Sequence, residues 1–136
     1  MDAATERALR ESDELELVTA GRVSGRPHTV RLRFAYADGL VWLRTDERPP
    51  APDAQGVRRR TARERDPDWL RNLAVEPRCR IRVGAATLEA RYEPSPQPRA
   101  DLERVVGLLR EKYGAEWVAD WYVDRGRVPV RLRPTK

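Results

Sequence analysis

The segment from residue 21 to residue 28 has the composition of an anion-binding turn. It reads Gly-Arg-Val-Ser-Gly-Arg-Pro-His and joins two stretches of alternating apolar residues. The glycines allow main-chain N–H groups to turn toward a ligand, and Ser24 adds a hydroxyl. Arg22 and Arg26 add forked donors that suit phosphate or carboxylate. An ordinary basic turn between strands has the same composition, so both interpretations stay open at this point.

Few other side chains could carry out acid–base, nucleophilic or metal chemistry. His28 is the only histidine and Cys79 the only cysteine. An internal disulfide is therefore excluded, and a structural zinc site is not expected, because such sites need a full tetrahedral set of nitrogen and sulfur ligands. An enzyme that depends on a histidine base would have to use His28. Cys79 itself is predicted to be a small buried residue.

Length and charge limit the class of protein. The chain has 136 residues, the length of one domain, and 40% of them are apolar, which is enough for one core. Lys and Arg number 27 against 22 Asp and Glu, and the net charge of +5 favours anionic partners such as phosphates, carboxylate tails or nucleic acid. No apolar run is long enough for a transmembrane helix, and the N-terminus lacks the pattern of a secretory signal. We therefore expect a cytoplasmic protein with no membrane contact.

Alternation of apolar residues predicts the strands that position the turn. Residues 15–19 indicate a first strand and residues 28–36 a second, and residues 40–45 return as a third strand after a turn at Gly39. Residues 128–133 predict a last strand, in which Pro129 marks an edge position or a strand start.

A second hairpin is predicted at residues 78–83 and 86–93. If Val83 faces Ala86, the register pairs apolar residues on one face and opposite charges on the other. The further pairs in this register are Ile81 with Leu88, Cys79 with Ala90, and Arg80 with Glu89. Arginines on the outer face of the predicted strands, such as Arg31 and Arg131, are expected to be solvated.

Helices and one long loop complete the prediction. Residues 3–11, within an N-terminal segment 1–13, read as a short polar helix or a frayed tail. A short helix begins near Pro67, where Asp66 can cap it, and a longer one ends at Gly114. Residues 46–65 contain three prolines and a run of arginines and are predicted to be a long basic loop. Six antiparallel strands in a single domain (1–136) therefore predict a mainly β, α+β fold, a small barrel with flanking helices.

Two runs of sequence resemble a known family. VTAGRVSGRPHTVRL is similar to a signature of the deazaflavin-dependent nitroreductases, which usually reads Thr-Thr-Gly-Arg-x-Ser-Gly-x-Pro-Arg-Thr. DPDWLRNLAVEPRCRIRVG is similar to that family's His-Pro-x-Trp-x-x-Asn-Leu motif, with Pro77 and Gly84 at the family's spacing. The family belongs to the pyridoxamine-phosphate-oxidase-like split β-barrels, so the resemblance implies a six-stranded split β-barrel and possible homodimers.

The resemblance also implies a function. Such proteins hold coenzyme F-420, a deazaflavin, or FMN beside the barrel, and transfer a hydride to a quinone, an enone or a nitroaromatic compound. Because the cofactor carries the chemistry and the protein positions it, this activity suits a chain with one histidine. The phosphate of the cofactor is anionic, in agreement with the basic charge.

Site residues follow from matching positions in the two motifs. The phosphate-binding residues implied are those of the turn: Arg22, Ser24, Gly25, Arg26, Pro27 and His28. The ring of the cofactor would lie against the end of the third strand: Arg44, Thr45 and Asp46. Trp69 is a further cofactor-binding candidate, and with Asn72 it would fix the loop after that strand to the short helix. Tyr122 is the residue expected to face the substrate.

This sequence departs from the family in two places. His28 replaces the usual Arg, and the long loop at residues 46–65 replaces a short Ala-Ser-x-Gly-Gly-type loop beside the ring. Two alternatives therefore remain: a barrel that binds FMN, and a barrel that binds an anionic small molecule without turnover. A nucleic-acid binder is the weakest hypothesis, because no helix-turn-helix or finger motif is present. Trp42 is expected in the core.

Overall fold

The fold is described by a computed structural model, which covers residues 1–45, 66–114 and 128–135. Within these residues the helices are α1 (Ala3–Glu11), α2 (Asp68–Val75) and α3 (Pro98–Tyr113). The strands are β1 (Glu14–Ala20), β2 (Pro27–Arg33), β3 (Ala35–Ala37), β4 (Leu40–Arg44), β5 (Arg78–Val83), β6 (Ala86–Glu93) and β7 (Pro129–Pro134).

The strands of the described residues form one antiparallel sheet in the order β2-β1-β5-β6-β7-β4-β3. The strands at its two ends, β2 and β3, follow each other in the chain with only Phe34 between them. The sheet therefore curls toward itself, which confirms the predicted split barrel of the α+β class. The predicted number of six strands is wrong, since residues 1–45, 66–114 and 128–135 alone form seven. The single strand expected at residues 28–36 is divided at Phe34.

The division at Phe34 is stabilised by the end of α3. The Phe34 N–H donates to the Tyr113 hydroxyl at 3.3 Å, and the Lys112 ammonium donates to the Phe34 carbonyl at 2.9 Å. The same ammonium lies 3.6 Å from the centre of the Phe34 ring, a favourable cation–π contact. The Tyr113 hydroxyl also bonds to the carbonyl of Asp13, just before β1. Backbone groups that leave the strand ladder at Phe34 thus regain partners from one helix.

Two apolar clusters hold the barrel together. Inside it, alternate residues of the strands pack with Ala8 and Leu9 of α1 and with Trp69, Leu70 and Leu73 of α2. The alternation predicted for residues 15–19 is confirmed, because Leu15, Leu17 and Thr19 are buried and the residues between them are not. Residues 3–11 form helix α1, capped by Asp2, whose carboxylate accepts from the Thr5 N–H at 2.7 Å.

The second cluster lies outside the barrel, where α3 covers β3 and β4. Val105 and Leu109 of α3 pack against Ala35, Leu40 and Trp42. The Trp42 indole N–H donates to the Ala37 carbonyl at 3.0 Å. Trp42 is therefore a core residue, as expected.

The second hairpin has the predicted register. Val83 pairs with Ala86, Ile81 with Leu88, Cys79 with Ala90, and Arg80 with Glu89. The Arg80 Nε atom lies 2.8 Å from a Glu89 carboxylate oxygen. Pro129 is the first residue of β7, the strand start that the sequence allowed.

One expectation about the outer arginines is wrong. The Arg131 side chain is only 18% exposed, and its guanidinium donates to the Pro94 carbonyl at 3.1 Å and lies 3.8 Å from the Asp101 carboxylate. It is partly buried because the N-terminal part of α3 covers this end of β7, which periodicity along the strand does not reveal. Arg31 is exposed, as expected, and is paired with Glu14 and Glu16 at 3.7 Å. No helix among the described residues has the length and apolar character to span a membrane.

The environment of Lys112 predicts a stability that increases at high pH. Partial burial lowers the pKa of its ammonium group from 10.5 to about 8, and the charge of Asp13 opposes the shift. Between these values the unfolded chain holds a proton that the folded chain has lost, so the free energy of unfolding rises as the pH increases. Because the amine is only half-buried, we expect a gain of roughly 1 kcal/mol over this range, measured by urea unfolding.

The matched control is Lys112→Arg, which keeps the positive charge throughout this pH range. The variant should lack the gain, so its free energy of unfolding should fall relative to that of the wild type as the pH rises. Parallel pH profiles for the two proteins would show that Lys112 does not titrate in this range.

Candidate functional site

The turn between β1 and β2 has a tightly bonded backbone. The Gly21 N–H donates to the Arg26 carbonyl at 2.8 Å, and the Gly25 N–H donates to the Gly21 carbonyl at 2.7 Å. The Arg26 N–H donates to the Ser24 hydroxyl at 3.1 Å. Gly25 has a φ of +74°, which favours glycine, and a Cβ atom on Gly21 would lie 3.0 Å from the Arg26 carbonyl oxygen. Both glycines of the motif are therefore required by the shape of the turn.

Helix α2 holds this turn through Asn72 and Asp68. The Asn72 side-chain oxygen accepts from the Arg22 N–H at 3.1 Å and from the Arg22 guanidinium at 2.8 Å. The guanidinium also lies 3.1 Å from the Asp68 carboxylate and 3.4 Å from the Asp68 carbonyl. Arg22 thus joins the turn to the first two turns of the helix.

A buried hydrogen bond continues from Asn72 into β1. Asn72 is only 2% exposed, and its side-chain N–H donates to the Thr19 hydroxyl at 3.1 Å. The Thr19 hydroxyl in turn lies 3.5 Å from the His28 carbonyl, across the β1–β2 ladder. Asn72 therefore connects both strands that leave the turn to one helix.

The outer rim of the turn is exposed and basic. Ser24, Gly25, Arg26, Pro27 and His28 are all exposed. Among the described residues, neither the Arg26 nor the His28 side chain has a hydrogen-bond or ion-pair partner. The Ser24 hydroxyl accepts from the Arg26 N–H and keeps its own proton to donate. A turn with this bonded backbone, and with an Arg26 guanidinium that no described residue neutralises, is suited to bind a phosphate or a carboxylate.

A shallow groove of about 210 Å³ lies beside the turn. It opens where β1 and β5 separate, since these strands pair only between Glu16–Val18 and Arg80–Arg82. The lining residues are Val18, Thr19, Ala20, Gly25, Pro27, Arg78, Cys79, Arg80 and Glu89. Arg78 is paired with Glu76 at 2.5 Å and Arg80 with Glu89 at 2.8 Å, so both arginines carry a carboxylate neighbour.

Cys79 contributes no reactive thiol to this groove. Burial, and secondarily the charge of Glu89, raises the pKa of the Cys79 thiol to about 12. The thiol lies 3.5 Å from the Ala90 carbonyl. Cys79 is thus the small buried residue that its position in the sequence predicts.

The described residues that are predicted to contact the cofactor make contacts with other parts of the barrel. Thr45 is buried, its N–H donates to the Val128 carbonyl at 3.1 Å, and its hydroxyl accepts from the Val128 N–H at 2.8 Å. Arg44 is half-buried and pairs with Pro129 in the β4–β7 ladder. Trp69 lies in the barrel core at the start of α2. Cofactor contacts by these residues remain predictions, and Asp46 and Tyr122 lie outside the described residues.

Helix α2 makes two contacts with the β1–β2 region that local sequence patterns do not indicate. Asn72 bonds to Thr19 and Arg22, and its predicted role in fixing the loop after the third strand involves residues outside the described ranges. Asp68, the first residue of α2, pairs with Arg22. The two partners are 46 positions apart, and no local pattern in the sequence indicates that they meet.

Several solved structures share this fold. A FAD-binding protein from Mesorhizobium loti has a TM-score of 0.62 and 16% identity, over 100% of this chain and 91% of that protein. A conserved hypothetical protein from Mycobacterium tuberculosis has a TM-score of 0.68 and 24% identity, over 100% of this chain and 82% of that one. An F-420 reductase has a TM-score of 0.57 and 18% identity, over 96% of this chain and 93% of the reductase.

These likenesses define the class of fold. These proteins share the architecture of this chain, and identities of 16%, 24% and 18% show the fold alone. No family model matches the sequence, and no curated protein matches it either. The narrower resemblance to deazaflavin-dependent nitroreductases remains a prediction.

The hydrogen bonds of the buried Asn72 side chain lead to a prediction about stability. Asn72→Ala should lower the free energy of unfolding by about 2 kcal/mol, because it removes the partners of the Arg22 N–H and the Thr19 hydroxyl. Chemical denaturation would measure this loss. Thr29→Ala, at an exposed position of β2, serves as a control with an expected change below about 0.5 kcal/mol. Equal stability of Asn72→Ala and the wild type would contradict the role given to Asn72.

Proposed function

We propose that this protein is an oxidoreductase that transfers a hydride between coenzyme F-420 and a small organic acceptor, such as a quinone, an enone or a nitroaromatic compound. The observation that supports it most directly is the β1–β2 turn, which presents Ser24, Arg26 and His28 on a rigid backbone. The turn carries the motif that resembles the deazaflavin family. The fold is also that of an F-420 reductase. Bound deazaflavin supplies the hydride chemistry.

In this proposal the chain itself binds and orients the cofactor. The turn holds the anionic phosphate through the Ser24 hydroxyl and the basic side chains that follow it. The end of β4, at Arg44 and Thr45, supports the ring, and Tyr122 faces the acceptor. We further propose a homodimer, as the family resemblance suggests, and a cytoplasmic location.

A second candidate function is a barrel that binds FMN or another anionic ligand without turnover. The FAD-binding protein of the same fold favours a flavin as the ligand.

Cofactor binding distinguishes these functions. We expect freshly purified protein to change the fluorescence of F-420 on titration, and to oxidise reduced F-420 when menadione, a quinone, is added. Preferential binding of FMN would assign FMN as the cofactor in place of F-420. Binding of F-420 without oxidation of its reduced form would favour the non-catalytic barrel. Absence of binding to both cofactors would overturn the proposal.

A pair of glycine variants tests whether the turn is the binding site. Gly25 and Gly39 have φ values of +74° and +72°, and neither has a neighbour within 4 Å of an added Cβ atom. Gly25→Ala and Gly39→Ala should therefore lose similar stability, about 1 kcal/mol each. Only Gly25→Ala should weaken cofactor binding, by about tenfold, because the strain displaces Ser24 and Arg26, whose side chains bind the phosphate. Titration of F-420 and FMN measures the effect, and equal affinities in both variants would place the cofactor elsewhere.

A further inference from the structure

The two arginines of the turn have different surroundings. The Arg22 side chain is 29% exposed, and its guanidinium has three acceptors within 3.4 Å, two on Asp68 and one on Asn72. The Arg26 side chain has no partner among the described residues. The two arginines, four positions apart, therefore differ in one respect: a carboxylate neutralises the charge of Arg22, and no described residue neutralises that of Arg26.

The charge of Arg22 is already neutralised. Its ion pair with the Asp68 carboxylate, at 3.1 Å, leaves no net charge at this point of the turn. A phosphate that approached the Arg22 guanidinium would meet the Asp68 carboxylate, which repels it, and would have to replace existing hydrogen bonds. A competing carboxylate and a competing amide oxygen make Arg22 a poor direct contact for an anion.

The geometry gives Arg22 another task. The Asn72 side-chain oxygen accepts from both the main-chain N–H and the guanidinium of Arg22, so it holds this residue at two points. Asn72 is itself fixed by its bond to Thr19. Arg22 therefore determines where the rest of the turn lies relative to α2 and β1.

Arg26 has a fixed backbone and an available charge. Its N–H is held by the Ser24 hydroxyl at 3.1 Å and its carbonyl by the Gly21 N–H at 2.8 Å. Little backbone entropy is lost when its guanidinium binds an anion, and no described carboxylate has to be displaced first.

From this contrast, and resting on the proposed function, we propose that Arg22 is a positioning residue of the turn and that Arg26 is the arginine that binds the cofactor phosphate. Asp68 and Asn72 belong to the positioning group. The arginine at the motif position of the family would then act through the backbone, and the specificity for a phosphorylated ligand would come from its neighbour four residues later.

The test compares ligands that differ by their phosphate. Dissociation constants are measured for FMN and riboflavin, and for F-420 and the deazariboflavin that lacks its phosphate-linked tail. The phosphate ratio is the dissociation constant of the phosphate-free ligand divided by that of the phosphorylated ligand. It isolates the contribution of the phosphate to the affinity. The variants are Arg26→Gln, Arg22→Gln and Asp68→Asn, with Arg31→Gln on the outer face of β2 as a control of equal charge change.

Arg26→Gln should reduce the phosphate ratio about tenfold or more, the size of one charged hydrogen bond, and leave the affinity for the phosphate-free ligand unchanged within about twofold. Arg22→Gln should lower the ratio indirectly, because it releases the turn that carries Arg26, and only this variant should also change the hydrogen exchange of the turn. Asp68→Asn should not increase the ratio, although it removes the charge that neutralises Arg22. Loss of the ratio in Arg22→Gln with retention in Arg26→Gln would overturn the assignment, as would a ratio increased by Asp68→Asn.

A measurement without ligand separates this inference from the proposed function. Amide hydrogen exchange at Gly25 and Arg26 should become at least tenfold faster in Arg22→Gln, because the turn loses its attachment to α2, whereas Arg26→Gln should leave these rates within about twofold. If the wild type binds none of the four ligands, the proposed function fails, and the exchange rates still decide the role of Arg22. Unchanged exchange in Arg22→Gln would overturn the positioning role.

Discussion

The barrel closes because one stretch of chain, divided at Phe34, supplies both end strands of the sheet. Such a division exposes backbone polar groups that no neighbouring strand can satisfy, and leaving them buried without partners is costly. The last residues of α3 solve this problem, since Lys112 and Tyr113 bond to the carbonyl and the N–H of Phe34. Helix α3 thus has two functions in the fold: it covers the outer apolar cluster, and its end stabilises the corner at which the barrel closes.

A second set of hydrogen bonds fixes the candidate site to the barrel. The β1–β2 turn projects beyond the barrel, yet its position is set by Asn72, a buried amide on α2 that bonds to Arg22 and Thr19. A loop on the surface would ordinarily be mobile. Here it is attached to a helix whose apolar face lies in the core, so the rim of the turn keeps a defined shape without a ligand. A loop ordered in this way favours anion binding, because no further conformational entropy is lost in ordering it when the anion binds.

The many arginines of this chain have different roles, which their neighbours decide. Arg80 and Arg31 lie on exposed faces and pair with glutamates across the sheet, where such pairs contribute little to stability. Arg131 is packed beneath α3, and Arg22 connects two elements. Only Arg26, among the arginines of the turn, keeps a charge that no described residue neutralises. The net charge of the chain thus does not show which arginine is available to an anion. The local pairings decide that.

Local patterns in the sequence determined the strands, the register of the β5–β6 hairpin, the short helix after Pro67 and the turn at residues 21–28, because alternation, glycine and proline act within a few residues. The tertiary structure alone decided the break at Phe34, the burial of Arg131 and the pairing of Arg22 with Asp68 and Asn72. Each of these depends on a partner tens of residues away, such as Tyr113 for Phe34. Periodicity shows which face of an element is apolar, but it does not show which helix covers that face or which side chain neutralises a given charge.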